Sequence, residues 1–178
     1  QLSGAVEADE TYVGGKEKNK HKDKRAHKGT GSVGKTAVFG LLERSGKVYT
    51  FIPQEATGEH LKPIIVNSVE PKSVLMTDGF GAYRGLDKTY QHEVVNHHTG
   101  EYFREGFHTN TIEGFWSLMK RGIYGIYHQV SPKHLHRYCD EFAFRYNTQH
   151  SNHIQRFADS LKRADLTRLT YKQLTTGK

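Results

Sequence analysis

Three carboxylates, Asp9, Asp78 and Glu113, stand at points where their chemistry could be shared. Asp9 falls inside a strand-like run, where aspartate is disfavoured, and such breaches of local preference often mark functional sites. Asp78 follows a short apolar run, and Glu113 lies near the start of a helix-like stretch. Thirty-four residues separate Asp78 from Glu113, and Lys120 follows Glu113 by seven. Seven residues are two helical turns, so Glu113 and Lys120 project from one side, with Trp116 one turn from each. Carboxylates brought together repel unless cations neutralise them, and hard oxygen ligands suit Mg²⁺ or Mn²⁺. Two such ions can activate a water or a 3′-hydroxyl and stabilise the leaving oxygen of a phosphodiester.

Each of these residues also has a plainer role. Asp9 can form an edge-strand ion pair, Asp78 before Gly79 can simply build a turn, and Glu113 can complement a helix dipole. Trp116 suits a core position better than stacking on an unpaired base. His108 and Asn110 either line a pocket beside Glu113 or cap its helix. Tyr124 and Tyr127 read as packing residues. His97, His98, His134 and His136 make no convincing ligand set, so zinc is not expected. Cys139, the single cysteine, reads as a buried helix residue and leaves no partner for an internal disulfide.

The elements that must position these groups follow from periodicity. Residues 5–13 read as a strand ended by Gly14 and Gly15, residues 35–44 as a strongly apolar strand, and residues 47–52 as its return after a tight turn at Ser45-Gly46. A helix over about 58–68, capped by Thr57, presents Leu61, Ile64, Ile65 and Val69 on one face. Residues 73–77 are a short continuous apolar run, as in a strand buried on both faces. A short helix over 81–86 and a strand over 92–96 come next. The helix from Thr109 or Asn110 carries Ile112, Phe115, Met119 and Ile123 as its core stripe. Ser131-Pro132 starts another helix reaching Asn147, and one more amphipathic stretch spans 154–161. The order predicts an α/β domain: a mixed five-stranded sheet, three antiparallel strands followed by parallel ones, flanked by helices. Residues 1–150 are expected to form this domain and 151–178 a helical extension.

With 178 residues the chain can bury a core, and no apolar run approaches the roughly 18 residues a membrane span requires. A start at Gln1 suggests a fragment or processed chain, and no signal peptide is recognisable. The formal net charge is +7, and residues 14–36 hold nearly all of it: Lys16, Lys18, Lys20, Lys22, Lys24, Arg25, Lys28 and Lys35 against Glu17 and Asp23. This segment lacks hydrophobic period and reads as a mobile loop that binds phosphate, solvated linker being the alternative.

The stretches EADETYVGGK, LMTDGFGAYRGL and HTNTIEGFWSLMKRGIYGIYHQVSPKHLHRYCDEFAFRYN resemble bacterial insertion-sequence transposases of the DDE type. The likeness is to the subgroup with lysine seven residues after the third carboxylate and an N-terminal zinc-ribbon or helix-turn-helix region in full-length members. It covers nearly all of residues 5–150. It implies a ribonuclease-H-like fold and two-metal DNA cleavage and strand transfer, a nuclease and polynucleotidyl transferase using two Mg²⁺ or Mn²⁺ ions. By the same resemblance Asp9, Asp78 and Glu113 are the metal-binding triad and Lys120 contacts the element's end, with Arg121 beside it. Expected partners are double-stranded DNA, both transposon ends and target, and further copies of the chain, with no membrane; the expected setting is the bacterial cytoplasm and nucleoid. A ribonuclease-H-like nuclease without strand transfer, and a non-catalytic DNA-binding protein of the same fold, are the rivals.

Overall fold

Alternation along the first strand sets up both cores of the molecule. In the computed structural model, which describes residues 1–15, 19–25, 32–95, 106–164 and 170–176, strand β1 spans Ala5–Val13. Val6 and Ala8 enter one apolar cluster, and Val13 enters a second on the opposite face. That period of two puts Glu7 and Asp9 on the second face and Glu10 on the first.

Strand β2 (Thr36–Glu43) pairs antiparallel with β1, Asp9 opposite Gly40, and β3 (Val48–Phe51) pairs antiparallel with β2. Phe39 and Leu41 continue the first cluster, Val38 and Leu42 the second. Helix α1 (Gly58–Ser68) crosses over, burying Leu61 and Ile65 against the first cluster. The chain returns as β4 (Val74–Asp78), parallel to β1, and then as β5 (Gln91–Val95), parallel to β4. The sheet order is β3-β2-β1-β4-β5. This mixed sheet, antiparallel on one side of β1 and parallel on the other, is the expected ribonuclease-H-like arrangement.

Helices α2 (Asn110–Gly122) and α3 (Leu135–Asn147) cover the second face. The α2 stripe is as read from the sequence, with Ile112, Phe115, Met119 and Ile123 buried, and Trp116 joins it. A π-helical turn, Ile123–Tyr127, follows Gly122, and a 3₁₀ turn, Pro132–His134, leads into α3. Helices α4 (His153–Ala164) and α5 (Tyr171–Thr176) complete the chain.

Three expectations are corrected. The helix over 81–86 is two 3₁₀ turns, Gly81–Tyr83 and Leu86–Lys88, because Gly85 between them has φ of 87°, a left-handed conformation that ends a right-handed helix. Within the basic segment, a 3₁₀ turn forms at Lys22–Lys24, and Arg25 Nε donates to the Lys20 carbonyl at 2.9 Å, so residues 19–25 are not a featureless loop. Tyr124, read as a packing residue, is 45% exposed.

Candidate active site

The site begins where β1 and β4 run side by side. Their parallel register pairs Ala8 with Thr77, and one further step brings Asp9 beside Asp78. Asp78 ends β4 at the carboxyl edge of the sheet, where open α/β sheets place ligands. Burial is the main cause that pushes the Asp9 carboxyl up to about 7, followed by the charges of Glu10 and then Asp78; a hydrogen bond from Trp116 opposes them. Glu10, on the other face, is also raised, chiefly by burial, while its hydrogen bond from the Tyr83 hydroxyl at 2.6 Å pulls it back.

Asp78 fills its plain role as well: Oδ1 accepts the Phe80 N–H at 3.0 Å, an Asx turn. A carboxylate has lone pairs to spare after one such bond, so the turn and a cation can share it.

Helix α2 packs against β1 and β2 and reaches the pair at Asp9. Trp116 is 4% exposed, and its Nε1–H donates to Asp9 Oδ2 at 3.0 Å. The stacking role on an unpaired base is therefore ruled out for this buried ring; it is a core residue that also fixes the Asp9 carboxylate. Gly40, directly across from Asp9, makes room for it. A Cβ there would come within 2.5 Å of Trp116 Cζ2 and 2.9 Å of Ile112 Cδ1.

Glu113 is exposed in the first turn of α2, and its Oε1 accepts the Thr109 hydroxyl at 3.1 Å. Thr109 is the N-cap, but its side chain serves Glu113 rather than the helix backbone. Asn110 is exposed, with its N–H directed to His108 Nδ1 at 3.3 Å. Lys120, two turns beyond Glu113, is half-buried; burial lowers its pKa, the Asp9 charge raises it, and Lys35 lowers it again. Lys120 and Lys35 thus bring positive charge to the edge of the carboxylate pair. Arg121 is exposed on the same helix.

Among the described residues, no three Asp, Glu, His or Cys side chains stand close enough to make a ready metal cage. The structure brings Asp9 and Asp78 together, with Glu113 exposed in the first turn of α2, and does not close the three into one cluster. Two mutually repelling, partly desolvated carboxylates do fit a hard divalent cation, which would relieve the cost that raises Asp9. Lys20, Lys22 and Arg25 lie in the separate 19–25 segment, with Lys24 in its 3₁₀ turn; Lys16, Lys18 and Lys28 fall outside the described residues, as do His97 and His98. Cys139 is buried with its thiol pushed up to about 12, chiefly by desolvation, and so is no nucleophile.

Sequence reading missed Glu10, Tyr83, Gly40 and Arg44. The one available signal was Gly40, a glycine inside an otherwise apolar strand, which marks a close approach. The Glu10–Tyr83 bond joins residues 73 apart, and no local pattern announces it.

Fold and site together define a ribonuclease-H-like domain with paired carboxylates at the centre of its sheet. The chain belongs to the ISXO2-like transposase family, whose domain matches residues 1–147. It is 30% identical over 155 residues to an uncharacterized protein in transposable element ISH50 of Halobacterium salinarum, covering 81% of this chain and 52% of that protein. The chain thus spans about half the length of that relative. It is also 33% identical over 103 residues to an uncharacterized transposase-like protein of Haemophilus influenzae, covering 57% of this chain and 81% of that one. Among the described residues, no helix is long and apolar enough to cross a membrane.

Proposed function

We propose that this chain is the catalytic domain of a transposase that cuts DNA at insertion-sequence ends and joins the freed 3′-hydroxyl to target DNA. The observation that carries the reading is the juxtaposition of Asp9 and Asp78, with Lys120 of the Glu113-bearing helix α2 within electrostatic reach of Asp9. Asp9 and Asp78 would hold the divalent ions, Mg²⁺ or Mn²⁺, with Glu113 completing the set. Held by these residues, the ions would supply activation of a hydroxyl and stabilisation of the leaving oxygen. The protein's own groups do the rest. Trp116 fixes one oxygen of Asp9 by its hydrogen bond, and Asp78 is close enough for the two carboxylates to repel. Lys120 offers its ammonium to a phosphate or an end base, with Arg121 nearby. The basic segment follows the DNA backbone, and two ends held at once call for two or more copies of the chain.

The test is strand transfer from a pre-cut duplex, taken from the ends flanking this chain's own gene, into a plasmid with Mg²⁺. Joined products are expected from the wild type and none from Asp78→Asn. Cleavage without joining would make the protein a nuclease. Full activity in Asp78→Asn would remove the carboxylates from the chemistry.

A further inference from the structure

Glu7 is 0% exposed, the most deeply buried charged side chain among the described residues, and the reaction outlined above gives it no task. A carboxylate taken fully out of water persists only if its oxygens are compensated. Both are. Oε2 accepts the Ile112 N–H at 2.9 Å; Oε1 accepts the Thr111 hydroxyl at 2.8 Å and the Arg44 Nε–H at 2.8 Å. His108 Nδ1 lies 3.5 Å from Oε1. Arg44 then reaches past Glu7, with Nη1 donating to the Gly106 carbonyl at 2.6 Å and Nη2 to the His108 carbonyl at 2.8 Å.

One ion pair therefore holds both the first turn of α2 and the segment entering it. A helix is ordinarily capped by its own N-cap side chain, which accepts an N–H of the first turn. Thr109 makes no such bond, and the acceptor comes instead from β1, two residues from Asp9 and on the same face. Glu113 follows Ile112 directly, and Trp116, which meets Asp9, is one turn further on.

We infer that Glu7 is a positioning residue of the active site: with Arg44 it fixes where α2 begins over β1, and so sets Glu113 and the Trp116–Asp9 contact relative to Asp78. This rests on the transposase reading for its catalytic consequence, but its geometric part can be measured without catalysis. Trp116 is the single tryptophan of the chain, so its emission reports the contact with Asp9 directly.

The experiment compares wild type, Glu7→Gln, Thr111→Val and Asn147→Ala. Asn147 ties α3 to the Val48 backbone by bonds of 2.8 and 3.0 Å and serves as a stability control away from the site. Emission of the metal-free protein, Mn²⁺ titration followed by that emission, and strand-transfer kinetics are recorded well below each melting temperature. Glu7→Gln should shift Trp116 emission, raise the Mn²⁺ midpoint about tenfold or more and lower kcat by a similar factor, with KM for DNA near wild type. Asn147→Ala should lower the melting temperature and change none of these. Wild-type emission and Mn²⁺ midpoint in Glu7→Gln would overturn the inference, whatever its stability. Should Glu7→Gln not fold, Thr111→Val, which keeps the ion pair, must shift both readouts in the same direction by less; no shift overturns the inference too. A wild type that joins no DNA would defeat the transposase reading while leaving the emission result to decide the role of Glu7.

Discussion

Asp9 concentrates the electrostatic conflict of the site. Its carboxyl is raised from 3.8 to about 7, first by burial and then by Glu10 and Asp78. A group raised on folding contributes stability that is fully present below its unfolded value and is lost as pH climbs through the folded one. Here the loss runs from about 4 to about 7, with a slope of at most about 1.4 kcal/mol per pH unit. In metal-free buffer, Asp9→Asn should therefore melt progressively higher than wild type as pH rises from 4 to 8. Mg²⁺ should reverse this, stabilising wild type more at pH 8 than at pH 5 and the variant little at either, because the cation needs the ionised form. Thermal melts at three pH values with and without Mg²⁺ decide it; a difference independent of pH would mean that ionised Asp9 carries no such cost. Asp9 and Asp78 were legible as a pair because one breaks strand propensity and the other ends a strand. The Tyr83 bond to Glu10 was not, since it depends on how the loop after β4 folds back across the sheet.

Helix α2 carries Glu113, Trp116 and Lys120, so its fit against the sheet governs the site. Gly40→Ala should destabilise the protein by about 1–3 kcal/mol, as overpacking does, because the new methyl meets Trp116 at 2.5 Å. It should also shift Trp116 emission and weaken Mn²⁺ binding, since the ring must leave Asp9 Oδ2 to make space. Gly122→Ala provides the contrast. Its Cβ would lie 2.1 Å from Phe142 Cζ, at the α2–α3 contact, so stability should fall while emission stays near wild type. Denaturant unfolding with emission spectra separates the two; equal spectral shifts in both variants would mean that the Gly40 niche is not specific to the site. At this scale the sequence was a good guide: the span of β1, the span of α1 and the buried stripe of α2 all follow from apolar periodicity. It failed where backbone conformation outweighed pattern, as at Gly85; it placed the start of α2 at Thr109 or Asn110 correctly, but not the turn of the Thr109 hydroxyl to Glu113.

Across the whole molecule, the formal charge is concentrated in one stretch of the sequence, whose Lys35 lies within electrostatic reach of Lys120. The carboxylates sit at the middle of the sheet, whereas residues 14–36 hold +6 of the formal +7. An acidic centre alone would repel DNA, so a segment of this sign is what lets a polyanion approach it. Each phosphate neutralised releases condensed counterions, and the logarithm of the association constant falls with that of salt by roughly 0.9 per phosphate on duplex DNA. Replacing Lys16, Lys18, Lys20, Lys22, Lys24, Arg25 and Lys28 by serine should therefore flatten the salt dependence of binding to end duplex by several such units. Lys120→Ala, which removes one charge beside Asp9, should flatten it by about one at most. Fluorescence anisotropy between about 50 and 200 mM salt measures both slopes. A serine variant that binds more weakly by a constant factor, with the wild-type slope, would show that the segment contributes through folding rather than by tracking phosphates. A slope lost equally in Lys120→Ala would place the phosphate contacts at the carboxylate centre itself.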